Sequence, residues 1–249
     1  TLGTEEPSAM AAERTLTARC HNNSSKLRQM RLRVESPGEG WEMTPAQWRS
    51  LDVPAHGSVE TQFRVRAPEG TVRMVPMRVV AEAGPERIEA EATALCGGPV
   101  ELPANLARSG GVTVSVDSSY GGGYSPEPLN DGLLWPEGAH WTKHAWASAE
   151  TGDDHWIELA WPEAVEVSRV IVYWNVEDDR VYTGREVTVQ VLRDGHWLPL
   201  AEAQPQAGEA ATTIVVPPTR TEGLRIVQPA GMGSEHRPNL MWVTEVQVG

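Results

Sequence analysis

Apolar and polar residues alternate at period two through almost every segment of this 249-residue chain. Beyond about the first fifteen residues, no stretch of eleven or more carries the stripe of an amphipathic helix. The pattern predicts an all-β protein. In the first half, strands are expected over 15–20, 28–36, 57–67, 72–81 and 88–96, separated by turns rich in Pro, Gly, Asn and Ser. Short strands at that spacing suit a β-sandwich. The stretch Gly97-Gly98-Pro99-Val100-Glu101-Leu102-Pro103 has linker composition, so two domains are expected, 1–99 and 100–249. Beyond it, strands are expected over 112–117, 156–161, 167–174, 186–192, 196–200, 212–216, 224–228 and 241–248, and eight strands suit a jelly roll. Within them Val187 to Leu200 reads as a hairpin about an Asp194-Gly195 turn, a strong short-range hairpin signal.

Composition narrows the function classes. Apolar residues make up 40% and charged residues 22%, which excludes an intrinsically disordered chain, and the apolar runs are too short for a membrane-spanning helix. The net charge of −13 is uneven: residues 1–99 carry 12 Lys/Arg against 13 Asp/Glu, and residues 100–249 carry 9 against 21. An acidic second half repels phosphate backbones and anionic lipid, so neither nucleic acid nor membrane is an expected partner, whereas calcium is compatible. The chain opens on Thr1 with no basic-then-apolar leader, which reads as a processed protein or a piece of a longer one. Cys20 and Cys96 close the first and last strand-like runs of the first half, a spacing equally compatible with a disulfide and with two buried thiols. Eight of the ten Trp lie between Trp135 and Trp242. Trp146, Trp156, Trp161, Trp197 and Trp242 stand in strand-like positions and read as core. Trp135, Trp141 and Trp174 read as either core or loop.

The second half, from about Asn105 to Val248, resembles a discoidin-type domain, the fold shared by coagulation-factor C domains and family 32 carbohydrate-binding modules. The residues that carry the resemblance are Asn105-Leu106-Ala107, Leu129-Asn130-Asp131-Gly132, Ala145-Trp146-Ala147-Ser148, His155-Trp156-Ile157-Glu158-Leu159, Asp194-Gly195 with Trp197, and Val243-Thr244-Glu245-Val246-Gln247-Val248. It implies an eight-stranded jelly roll with a structural calcium ion and ligand-binding loops at one end. The first half, about Ala18 to Leu95, resembles the immunoglobulin-like accessory domain beside the catalytic modules of bacterial alpha-galactosidases, through Gly40-Trp41-Glu42-Met43-Thr44-Pro45 and Val53-Pro54-Ala55-His56-Gly57-Ser58. That implies a spacer or packing role.

By the resemblance, calcium would take Asp131 and Glu245 as side-chain ligands, with carbonyls near Pro128, Leu134 and Thr244. Leu133 departs from the Asn or Asp of many relatives. Hard oxygens at an Asp-Gly turn suit this ion. Sugar recognition needs flat aromatic faces and planar polar side chains on loops held by a rigid scaffold. Three groups supply them: Tyr120, Tyr124, Trp135, His140 and Trp141; Asn175, Tyr182 and Arg185; and His236, Arg237 and Asn239. The long irregular stretch from Ser118 to His155 holds the first group, and a loop of that length is usually functional or folded on itself.

No catalytic residue is expected. His140 and His144 have zinc-helix spacing without the Glu that would act as base, in a segment with no helical periodicity. The acidic runs Glu177-Asp178-Asp179 and Asp153-Asp154 point in divergent directions and read as solvated. No nucleophile elbow, Walker loop or Rossmann fingerprint occurs. The expectation is a non-catalytic region of a larger secreted bacterial carbohydrate-active enzyme, monomeric as a fragment. Its partners would be a glycan or polysaccharide and the catalytic domain of the same polypeptide. The alternatives are a structural module that packs on a catalytic domain or protein partner with no sugar site, and a protein-adhesion module using the same loops.

Overall fold

The strand Ser58–Arg66 alternates buried and exposed side chains, burying Thr61, Phe63 and Val65, and the same period shapes the whole chain. The computed structural model describes residues 2–4, 13–68, 72–97, 102, 104–134, 141–178 and 180–249, without the side chains of 2–4 and 141–142. The chain divides into two compact units, Thr1–Pro99 and Val100–Gly249. Among the described residues no helix is long and apolar enough to cross a membrane.

The first unit holds β1 (Leu2–Thr4), β2 (Glu13–His21), β3 (Arg28–Glu35), β4 (Glu42–Thr44), β5 (Arg49–Val53), β6 (Ser58–Arg66), β7 (Val72–Ala83) and β8 (Glu86–Gly97). They form two antiparallel four-stranded sheets, ordered β1-β2-β6-β4 and β5-β3-β7-β8. Leu16, Leu32, Val53, Phe63, Val65, Met77 and Cys96 form the core between them. β1, β4 and β5, absent from the sequence reading, are three to five residues long, too short to present a period. Cys20 and Cys96 are both buried free thiols. Arg14 Nε donates to the Leu95 carbonyl at 2.9 Å, which sets the end of β8 beside the start of β2. From there to Cys20 is about 20 Å of strand at roughly 3.3 Å per residue. A disulfide needs Cα atoms within about 7 Å, so this geometry forms none. Burial pushes the Cys96 thiol up to about 11, which removes it as a nucleophile at neutral pH.

The second unit is a jelly roll built on two long strands. It comprises β9 (Thr113–Val116), β10 (Trp146–Ala147), β11 (His155–Trp174), β12 (Val176–Glu177), β13 (Arg180–Val181), β14 (Val187–Arg193), β15 (His196–Ala203), β16 (Ala211–Gln228) and β17 (Trp242–Val248). The order is β10-β17-β11-β16-β14-β15, with β9 also paired to β11. The first part of β11, His155 to Ala160, pairs with β9 and the end of β16; its last part, Arg169 to Trp174, pairs with β17 and the start of β16. Each long strand therefore serves both leaves of the sandwich. Register shifts between Ala160 and Val165 and between Val167 and Arg169 mark the bends. The four strands expected over 156–161, 167–174, 212–216 and 224–228 are thus two, because Pro162 and the Pro217-Pro218 pair fall at these bends without ending the strands.

Asp194 and Gly195, both at positive φ, make the two-residue turn between β14 and β15, and Arg193 pairs with His196. The pairings also fix which loops share an end. β9 finishes, β11 starts and finishes, β16 starts and finishes, and β17 starts at one end of the sandwich. The segments 117–154, 175–186 and 229–241 all leave from there.

Candidate functional site

Three loops meet through their aromatic rings at this end. Tyr120 and Tyr124, on the loop after β9, lie edge to face with centroids 5.9 Å apart. Tyr124 continues edge to face onto Trp242 at 6.3 Å, and Tyr182, from the loop after β11, packs on Trp242 at 4.7 Å. Arg237, from the 229–241 loop, holds its guanidinium 5.0 Å from the Tyr120 ring centroid. It also donates to Glu150 from Nε (3.0 Å) and Nη2, a two-pronged pair that raises the Arg237 pKa and lowers that of Glu150. Glu177 hydrogen-bonds the Tyr182 hydroxyl, and burial followed by the nearby Asp178 charge raises its pKa. Burial and then the Glu177 charge push the Tyr124 hydroxyl up to about 12. The result is a cluster of three tyrosines over a buried tryptophan, rimmed by a guanidinium and two carboxylates.

The remaining sequence candidates divide. Asn175 is buried under the cluster: its N–H donates to the Trp242 carbonyl and its carbonyl accepts from the Tyr182 N–H, both at 3.0 Å. Its side-chain Nδ2 is buried without a hydrogen-bond partner. Arg185 instead donates to the Gly231 and Gly233 carbonyls, and its backbone N–H to that of Met232, so it holds the turn rather than facing the cluster. His236 is exposed on the 229–241 loop, and Asn239 contributes its backbone carbonyl. Trp135 and His140 lie outside the described residues, as does the Trp141 side chain. Trp141–His144 forms one helical turn, contrary to the reading of that segment as lacking helix.

Two of the tryptophans read as core are not. Trp156 and Trp197 are half-exposed on the outer face of the sheet, with the Arg225 guanidinium 4.6 Å and 4.3 Å from their ring centroids. The reason is the alternation itself: with His155, Ile157 and Leu159 inward, Trp156 must point outward. Trp146, Trp161, Trp174 and Trp242 are buried.

Beneath the loops lies a polar network that the sequence reading missed. His155, 1% exposed, has Nδ1 at 2.8 Å from Asp117 Oδ2 and Nε2 at 3.1 Å from the Asn239 carbonyl. Asp117 also accepts from the Trp156 N–H at 2.9 Å and the Ser118 hydroxyl at 2.6 Å. Burial opposes its ionisation, but these donors outweigh burial and lower its pKa. The His155 pKa is raised: burial opposes the charge, and the hydrogen bond and charge of Asp117 outweigh it. Only the position of Asp117 directly after β9 and of His155 at the start of β11, two paired strands, could have signalled this contact.

The residues expected to bind calcium also meet. Gly132 N–H donates to Glu245 Oε2 at 3.1 Å, and Leu133 N–H to Asp131 Oδ1 at 2.7 Å. Glu245 is fully buried, its Oε1 has no partner, and burial followed by the Asp131 charge pushes its pKa up to about 8. Burial also raises Asp131. A Cβ on Gly132, which has φ +84°, would lie 2.2 Å from Arg108 Nη1, so the guanidinium packs against this turn. Two adjacent carboxylates with a buried unpartnered oxygen at an Asp-Gly turn fit a hard cation, although no third His, Cys, Asp or Glu among the described residues joins them. Arg108 is the competing source of positive charge.

Residues 105–234, just over half of the chain, match the family described as a domain of unknown function (DUF7402). The chain belongs to this family. No curated protein matches the sequence. Among solved structures, the family 32 carbohydrate-binding module of C. perfringens NanJ, in complex with galactose, aligns at 13% identity and TM-score 0.45 over 55% of this chain and 92% of that one. Chitosan-binding module 1 of a Paenibacillus sp. IK-5 chitosanase/glucanase aligns at 20% identity and TM-score 0.44, over 55% and 93%. A Ruminococcus gnavus GH29 fucosidase in complex with fucose aligns at 17% identity and TM-score 0.45 over 58% of this chain, which spans only 26% of the enzyme's length.

Proposed function

We propose that the DUF7402 unit is a non-catalytic glycan-binding module of a larger secreted carbohydrate-active enzyme, with its ligand site at the loop cluster. The observation that carries this reading is the meeting of Tyr120, Tyr124, Tyr182 and Arg237 from three loops at one end of a rigid sandwich. Tyr120, 36% exposed, and the partly exposed Tyr182 would offer faces to the C–H side of a pyranose, with Tyr124 buried beneath them as support rather than as a contact; Arg237, Glu150 and Glu177 supply planar donors and acceptors for its hydroxyls. Binding of one sugar unit would be modest, and retention on a polymer would come from the parent enzyme's combined contacts. The first unit serves as an immunoglobulin-like spacer beside the catalytic domain. Asp131 and Glu245 hold a calcium ion that neutralises their buried charge and fixes the turn at Gly132.

A second reading rests on the half-exposed Trp156 and Trp197: the outer sheet face packs on the rest of the parent polypeptide and the loops bind nothing. Intrinsic tryptophan fluorescence of the whole chain, titrated with galactan, chitosan and pectin fragments with and without calcium, separates the two. A saturable shift that Tyr182→Ala abolishes supports the glycan reading, and no response to any of the three overturns it.

A further inference from the structure

We infer that His155 is the positioning residue of the loop cluster, a buried imidazolium that joins the three segments carrying Tyr120, Glu150 and Arg237. The geometry requires both ring nitrogens to donate. The Asn239 carbonyl, 3.1 Å from Nε2, can only accept. Asp117 Oδ2, 2.8 Å from Nδ1, belongs to a carboxylate whose donors hold its pKa below the ordinary value. Ser118 Oγ accepts from the Ala149 N–H at 2.9 Å, so its own proton goes to Asp117 Oδ2, and the Trp156 N–H occupies Oδ1. Three donors converge on Asp117, and the third is His155 Nδ1–H. At 1% exposure no solvent is available to replace either bond.

What the imidazolium holds matters to the site. Asn239 lies two positions from Arg237, and the same loop is tightened by Leu240 N–H to the Arg237 carbonyl (3.2 Å) and Gly233 N–H to the Pro238 carbonyl (2.8 Å). A Cβ on Gly233 would come within 2.5–2.8 Å of three carbonyl oxygens of this loop, which leaves no slack there. His155 also hydrogen-bonds the Thr151 backbone, next to the Glu150 that grips Arg237. Asp117 leads directly into the loop of Tyr120 and Tyr124. One side chain therefore fixes both halves of the Arg237–Glu150 pair and the start of the tyrosine loop. Among described groups, the charge facing it is Asp117. From the 148–154 and 229–241 segments it meets backbone, its neighbour across β16 is the neutral Gln228, and the adjacent Asp154 turns instead to the Ala230 N–H at 2.8 Å. Loss of one of its two N–H protons removes the bonds that nitrogen donates and frees the loops it joins.

The consequence for ligand rests on the glycan-binding reading; the consequence for the loops does not. The test uses the whole chain, with ring-nitrogen NMR following His155 and amide hydrogen exchange following residues 149–152 and 237–241 from about pH 5 to about pH 9. Titrations with galactan, chitosan and pectin fragments run at each pH. The expected result is a His155 ring doubly protonated at neutral pH, exchange that accelerates in both segments as the ring deprotonates, and affinity that weakens about tenfold per pH unit above that point as the competent fraction falls. His155→Gln, which offers one donor nitrogen and turns an acceptor oxygen toward the other partner, should show fast exchange at every pH. Should that variant not fold, the titration of the native chain suffices. A singly protonated ring at pH 6, or exchange unchanged across its titration, overturns the inference. Loosening with pH, without binding of any fragment, leaves the positioning role intact and overturns the glycan reading.

Discussion

The second unit withdraws carboxylates from water in two places, Glu245 fully and Asp117 in part, and treats them oppositely. Asp117 receives three donors, one of them a cationic ring, and its pKa falls. Glu245 receives backbone N–H groups on one oxygen only, has the Asp131 carboxylate beside it, and its pKa rises to about 8. Burial penalises both charges, the fully buried Glu245 more than the partly exposed Asp117, and what sits within hydrogen-bond reach outweighs that penalty only at Asp117. The Asp117 site carries its own cation in the chain. The Asp131–Glu245 site does not, apart from Arg108 against Gly132, and that is where an external cation has something to neutralise. A complete site holds loops; the incomplete one is where we propose that a cation binds.

The largest way to break this contrast is His155→Ala. It leaves the largely covered Asp117 beside an empty space, and removing one partner of a fully buried pair typically costs about 3–5 kcal/mol, the upper end of what is expected here. Urea unfolding followed by tryptophan fluorescence should show that loss. A change under about 1 kcal/mol would mean that the pair is no more than a surface contact. Next comes calcium. At a hundredfold excess over its dissociation constant, a single bound ion adds about 2.7 kcal/mol. Calorimetry should therefore show a rise in melting temperature on adding calcium to the native chain, and none in Glu245→Gln. If the native chain does not respond, Arg108 is the cation of that site. The Asp117 pair also fixes a pH window. His155 titrates above its ordinary value, so its contribution is complete below about pH 6.5 and is lost as pH rises through the folded value. Asp117 titrates below its ordinary value, so its contribution is complete above about pH 4 and is lost as pH falls through the folded value. Melting temperature against pH should then flatten for His155→Gln on the alkaline side, where the native chain still slopes.

The two sites also differ in how legible they were. Alternation disclosed the strand-rich architecture, and Asp194-Gly195 disclosed a hairpin and its register. Asp131 and Glu245 came from the resemblance, and the structure brings them together. Tyr120, Tyr124, Tyr182 and Arg237 were nominated by residue type, and they converge because the long strands β11 and β16 start and finish at the same end. Asp117, His155 and Glu150 were not nominated. Each earns its part from a partner 38 to 87 positions away, and a local pattern contains no such pairing. His155 stood inside a motif used only to recognise the fold, and its neighbour Trp156 was assigned to the core because it stands in a strand-like position of that motif. Strand parity, which places it outward, was already in that motif.

Trp156 and Trp197 give the smallest prediction. Arg225 lies between their rings and pairs with Glu158, Nη2 at 2.8 Å from Oε2, and both charged side chains are 23% exposed. Trp197 sits over Gly223, where a Cβ would come within 3.1 Å of its ring, so the absence of a side chain there lets the stack lie close on the sheet. A cation over an aromatic face at a partly exposed site is worth about 0.5–1 kcal/mol, and the attached ion pair adds no more than that. Arg225→Met keeps most of the stem and loses the charge, so it should lower stability by about 1 kcal/mol without changing any calcium or glycan response. If instead it leaves the isolated chain unaffected but weakens association with a catalytic domain joined in trans, the stack is an interface, and the packing reading gains the outer sheet face.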